Sequence, residues 1–149
     1  MKSNITGRAS VMINAPASKV WEALTTPELI KKYFFDTNAV SDWKEGSPLI
    51  FKGEWKGKTY EDKGTILKVE QNKLFQYSYW SSMSGIEDKP ENYVIITYML
   101  SEDANVTTLT VRQENIPDES TKAHSEENWN KVLSALKDLL EKEPVATDR

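Results

Sequence analysis

The chain has 149 residues, 19 basic and 23 acidic side chains for a formal net charge of −4, no cysteine and one histidine. This composition excludes disulfides, thiolate nucleophiles, Cys-ligated zinc and a multi-His metal centre within one chain, and its acidic balance argues against a nucleic-acid-binding surface. The length suits one domain that buries roughly 69% of its unfolded surface, so a sizeable core needs no covalent or metal staple.

Arg8 to Ile13 alternates apolar and polar residues and reads as a strand. Pro16 suits the first turn of a short helix over 17–24, where Val20, Ala23 and Leu24 share a face. Thr26-Pro27-Glu28 starts a second helix, with Ile30, Tyr33 and Phe34 as its apolar stripe. From about residue 38 to 115 the period becomes two. Strands are predicted at 38–42, 48–55, 58–70, 73–80, 92–101 and 106–114. Lys56-Gly57 and Gln71-Asn72 suit two-residue turns, 102–105 a four-residue loop, and 81–91 is the one long connection. Consecutive short loops imply an antiparallel meander. A last helix of about 17 residues is expected from an N-cap at Ser125 to a stop at Pro144, with Trp129, Leu133, Leu136 and Leu140 on one stripe. The order β, α, α, six β, α is that of an α+β domain over 8–142, with 1–7 and 143–149 expected as flexible termini. No apolar run approaches the ~20 residues of a bilayer span. MKSNITGRAS lacks the apolar centre of a signal peptide, so a cytoplasmic location is expected.

Hairpin register sorts the side chains by face, because directly paired residues share one. A turn at Lys56-Gly57 pairs Gly53 with Tyr60 and Phe51 with Asp62. A turn at Gln71-Asn72 pairs Ile66 with Tyr77 and brings Phe75 and Tyr79 onto that face. In the last hairpin Tyr98 is expected opposite Leu109, and Ile96 opposite Val111. The register between 73–80 and 92–101 is left open by the long loop. Lys52, Glu54, Glu61 and Lys63 fall on the opposite, solvated face. The inner face is thus aromatic and partly polar, where a solid core would use Leu, Ile and Val. Inward tyrosines and an inward Asp62 point to a ligand-accessible interior. The bland reading keeps the tyrosine tips in water at the sheet rim.

Three motifs then carry a resemblance: INAPASKVWEALTTPELIKKYF from Ile13, Gly53 to Leu67 in the pattern GxWxGKxYEDKGTIL, and NWNKVLSALKDLLEK from Asn128. Together they resemble the START-like (SRPBCC) superfamily, and more narrowly the single-domain bacterial form of the activator of heat-shock-protein-90 ATPase homologue family. The resemblance implies a helix-grip fold, a curved antiparallel sheet wrapped around the long C-terminal helix with a hydrophobic cavity between them. It also implies a range of functions, because the superfamily includes binders of lipids, sterols, hormones and polyketides, and a few cyclases and hydrolases.

Candidate chemistry is sparse. His124 reads as a surface residue near the helix start, Arg112 as outward, and Gly53, Gly57 and Gly64 as turn or bend residues rather than a phosphate loop. No catalytic residue, metal ligand or cofactor is assigned. The expected ligand-binding residues are Phe34, Trp43, Phe51, Trp55, Tyr60, Asp62, Tyr77, Tyr79, Tyr98, Trp129 and Leu133. Phe34, Phe35 and Trp43 are expected at the cavity mouth, opposite a loop that Ser84 and Gly85 let move. The expected function is non-catalytic, stress-related binding of a small apolar or aromatic molecule that is lipid-, flavonoid- or polyketide-like. One alternative is a co-chaperone or protein-interaction module with a chaperone partner and an exposed patch at Ile95 and Met99. The other is a cyclase- or hydrolase-type enzyme using Asp62 and tyrosines. A monomer or weak dimer is expected.

Overall fold

The computed structural model describes residues 5–34, 37–55, 57–81 and 87–147, with side chains described except at Trp55 and beyond Glu141. Among the described residues the chain forms β1 (Ile5–Ile13), α1 (Ala17–Thr25), α2 (Pro27–Tyr33), β2 (Asn38–Ser41), β3 (Pro48–Trp55), β4 (Lys58–Glu70), β5 (Leu74–Tyr79), a 3-10 turn (Pro90–Asn92), β6 (Val94–Asp103), β7 (Val106–Ile116) and α3 (Glu119–Thr147). The strands make one antiparallel sheet in the order β1-β7-β6-β5-β4-β3-β2. The sheet curves around α3, so the domain is α+β with a helix-grip arrangement.

The β3–β4 hairpin has the predicted register, Phe51 opposite Asp62 and Trp55 opposite Lys58. The β4–β5 turn is one residue longer than predicted. Glu70 pairs with Leu74, and Asn72 takes a left-handed φ of 67°. A bulge between Ile66 and Lys68 absorbs the extra residue and returns Ile66 to Tyr77. The β6–β7 register differs by two from the prediction: Tyr98 lies opposite Val111 and Ile96 opposite Gln113. The four-residue loop expected there is a two-residue turn, Ala104-Asn105, with both residues at positive φ (54° and 67°). Such a turn matches strand twist and usually recruits Asn-Gly, so Ala104 hides it in sequence. A slip of two leaves every side chain on its predicted face. The open β5–β6 register sets Phe75 opposite Tyr98 and Tyr77 opposite Ile96.

Regular structure begins earlier in β1 and spans more of α3 than predicted. Ile5 to Gly7 extend β1 beyond Arg8, pairing with Ile116, Glu114 and Gln113 of β7. The helix α3 starts at Glu119, six residues before Ser125, because the Asp118 carboxylate accepts a hydrogen bond from the Thr121 amide at 2.7 Å. The stop expected at Pro144 does not occur, and helical backbone runs to Thr147.

The core is unevenly filled. Leu133, Leu136 and Leu140 of α3 are buried together with Ile13, Val20, Leu109 and Val111, forming a solid half. Toward its N-terminal end α3 bears Ser125, Asn128, Trp129 and Val132, and there a cavity opens against the sheet. No helix of the described residues is long and apolar enough to cross a membrane.

Candidate functional site

A closed circuit of five aromatic rings, four of which line the cavity, runs along one side of it. Phe34, just beyond α2, stacks on Phe51 of β3 at 6.1 Å and meets Trp129 of α3 edge-on at 6.0 Å. Trp129 meets Tyr98 at 5.8 Å, Tyr98 meets Tyr77 at 6.2 Å, and Tyr77 returns to Phe51 at 5.9 Å. Edge-to-face and offset contacts at these separations are favourable for aromatic quadrupoles. Beneath the circuit the interior is full: Phe75 stacks on Tyr98, Trp21 meets Phe75 edge-on, and the residual void of about 10 Å³ is scarcely one water.

Above it the cavity has a volume of about 630 Å³, within the range of small-molecule sites. Several of its polar groups are held by partners in the wall. Asp62 of β4, 7% exposed, accepts a 2.6 Å hydrogen bond from the Tyr79 hydroxyl. Burial, and then the Asp62 charge, push the Tyr79 phenol well above its usual range, so it keeps its proton and remains the donor. Thr37 and Tyr60 share a hydroxyl–hydroxyl bond of 2.6 Å. The Gln113 side-chain carbonyl accepts from the Trp129 indole at 2.8 Å, which fixes the ring, and both residues line the cavity. Tyr77 and Tyr98 are raised chiefly by burial, so they too stay neutral.

Of the residues singled out by sequence, Phe34, Phe51, Tyr60, Asp62, Tyr77, Tyr79 and Trp129 line this cavity. Three do not. Trp43 has a left-handed backbone, φ 62°, and packs its indole on Phe75 at 6.1 Å. Tyr98 lies under the edge of Trp129. Leu133, one helical turn past Trp129, is in the solid half. The Trp55 side chain, Phe35, Ser84 and Gly85 lie outside the described residues. His124 is exposed, and Arg112 is on the convex face beside Glu114 at 3.4 Å. Ile95 and Met99, expected in an exposed patch, are half-buried there. Among the described residues the exposed large apolar side chains are Met12, Val40 and Leu67, on strands that are not neighbours. No group of three His, Asp or Glu among the described residues could hold a metal ion.

Sequence reasoning missed Thr37, Ser81, Gln113 and the helix residues Ser125, Asn128, Lys131 and Val132. Ser125, Asn128, Trp129 and Val132 follow i, i+3, i+4, i+7 spacing. That pattern was available, but reading Ser125 as the cap removed it from the helix face. Gln113 shares the inward face of Val111 by alternation, and only its place opposite Ile96 needed the correct β6–β7 register.

The sequence profile of a family described as Activator of Hsp90 ATPase homolog 1-like protein matches residues 14–141. No match is found among curated proteins. Several solved structures are similar. One is a protein from Cytophaga hutchinsonii, solved in solution, with 47% identity over 96% of this chain and 98% of its own and a TM-score of 0.83. Another is the Aha1 dimer from Colwellia psychrerythraea, with 23% identity over 92% and 96% of the two chains and a TM-score of 0.73. A third is DynU16, a putative protein in the dynemicin biosynthetic locus, with 21% identity over 93% of this chain and 48% of its own and a TM-score of 0.77. At these lower identities the last two establish a shared fold.

Proposed function

The chain belongs to the Activator of Hsp90 ATPase homolog 1-like family, and we propose that it is a binding protein that holds a small apolar or aromatic molecule between the sheet and α3. The observation that carries this reading is the cavity of about 630 Å³ walled by Phe34, Phe51, Tyr77 and Trp129. An aromatic wall with a few fixed polar groups suits recognition of a flat apolar molecule. Its acceptors and donors are largely engaged with one another, as Tyr79 is with Asp62 and Trp129 with Gln113. Such pairing favours binding over turnover, and among the described residues no second carboxylate lines the cavity beside Asp62 to share acid–base work. DynU16, which shares the fold, is a putative protein in the dynemicin biosynthetic locus, a setting in keeping with a small-molecule cavity.

The test is a panel of lipid-, flavonoid- and polyketide-like compounds titrated against the labelled protein by NMR. Binding is expected to move the signals of Tyr77 and Trp129. Ile96→Phe, which pushes a ring into the space from the sheet side, is expected to abolish those shifts and keep the fold. Saturating compounds that leave Tyr77 and Trp129 unmoved would sink the reading. A cytoplasmic location and a monomer or weak dimer belong to the same proposal, and cell fractionation and light scattering check them.

A further inference from the structure

Resting on the cavity-binding reading, we propose that Tyr60 is the end stop of the cavity and sets its preference for compact two-ring aromatic molecules over longer, rod-shaped ones. Tyr60 is the one described residue that lines both the cavity and a second, open groove. The groove is polar where the cavity is aromatic, with Lys31, Asn38, Lys52 and Glu54 on its walls. The Tyr60 ring rests against Gly53, which lines the groove, and its hydroxyl is bonded to Thr37, which lines the cavity. The side chain therefore stands between the two spaces.

Sequence and backbone seat the ring there. Tyr60 pairs directly with Gly53 across the β3–β4 hairpin. A Cβ built at Gly53 would run into the Tyr60 ring and hydroxyl, so a glycine is what lets the ring lie against the neighbouring strand. Thr37, 3% exposed, then shares a 2.6 Å hydrogen bond with the Tyr60 hydroxyl. Among the described residues β2 pairs with β3 no further than Asn38 opposite Lys52. The ring thus crosses β3 where the β2 ladder has ended, and closes a gap that the sheet leaves. Held at one end by the β4 backbone and at the other by Thr37, it resists displacement at the cost of a buried hydrogen bond. A third ring in line with two that lie along Phe51 and Tyr77 would need the space that the Tyr60 side chain fills. Without that side chain, the aromatic wall would run on into the polar groove.

The test compares a two-ring probe, 4-hydroxybiphenyl, with its three-ring extension, 4-hydroxy-p-terphenyl. Affinities are read from Trp129 indole and Tyr77 shifts in the wild type, Tyr60→Ala and Tyr60→Leu. In the wild type the added ring is expected to gain nothing, so the longer probe binds no tighter than the shorter one. In Tyr60→Ala the longer probe is expected to gain about 10-fold or more relative to the shorter one, the scale of burying another aromatic ring. Its outer ring is then expected to show NOE contacts to Asn38 or Lys52 that the wild type lacks. Tyr60→Leu keeps apolar bulk beside Gly53 but has no tip to reach Thr37, and is expected to shift the ratio the same way by less. A wild type that already binds the longer probe 10-fold tighter would overturn the inference and leave cavity binding standing, and this arm needs no variant to fold. A ratio that stays at its wild-type value in both variants, with their amide spectra still those of the folded protein, would also overturn it. Failure of 4-hydroxybiphenyl to move Trp129 or Tyr77 in the wild type would overturn the binding reading, and the inference with it.

Discussion

Gly64 shows how closely the strands behind the cavity approach. A Cβ built there would run into the Ser78 carbonyl and its carbon, which are backbone and cannot swing away. Gly57 is different: it sits at φ +82° in the β3–β4 turn with nothing near its missing Cβ. Gly64→Ala is therefore expected to destabilise the fold by about 1–3 kcal/mol through overpacking. Gly57→Ala is expected to cost about 1 kcal/mol through its left-handed conformation alone. Urea midpoints of the two variants check the order. At this scale Asp62 and Tyr79 were legible in sequence, because one tight hairpin tied Asp62 to Phe51 and the return strand brought Tyr79 to the same face. Trp43 was not legible. Its left-handed backbone sets the direction of the indole, and no periodicity encodes that.

At the scale of elements, α3 guards an edge of the sheet as well as lining the cavity. β1 is an edge strand, and α3 side chains occupy backbone groups of it and of the residue that follows. Glu126 accepts from the Arg8 amide at 2.9 Å, Glu141 accepts from the Asn14 amide at 2.8 Å, and Lys137 donates to the Met12 carbonyl at 2.8 Å. Covering an edge in this way blocks pairing with another chain. The Lys137 ammonium, and then the Asn14 amide, hold the Glu141 carboxyl below its ordinary value of 4.5. A lowered folded-state pKa favours the folded state above the unfolded value, and the gain is lost as pH falls through the folded one. Glu141→Gln is expected to reduce stability at pH 7 and to flatten its decline below about pH 4.5. Chemical unfolding at several pH values measures both. The strands were readable because alternation reports a half-buried sheet directly. The start of α3 was not, because its first two turns, Glu119 to His124, carry no apolar periodicity and the Asp118 cap had no stripe to announce it.

At the scale of the molecule, the chain is packed solid at one end of α3 and hollow at the other. A ligand that fills the hollow binds the folded state alone and must stabilise it. At free ligand about 100-fold above Kd the gain is about 2.7 kcal/mol, which in a domain of this size raises Tm by roughly 5–10 °C. Differential scanning calorimetry with and without 4-hydroxybiphenyl is the check, and the Ile96→Phe protein is expected to show no such rise. The hollow was foreshadowed by the chain's five Trp and six Tyr beside a single His and no Cys. Its extent was not, because the gap depends on where α3 begins to close on the sheet. That point falls between Val132 and Leu133, both of which carry the same helical pattern.

The central claim is that the space above the aromatic circuit receives a molecule. Isotope-filtered NOE spectroscopy on labelled protein with 4-hydroxybiphenyl tests it most directly. Contacts from the probe to the rings of Trp129, Tyr77 and Phe51 are expected. Contacts confined to residues outside the cavity, or none at saturating probe, would contradict the account.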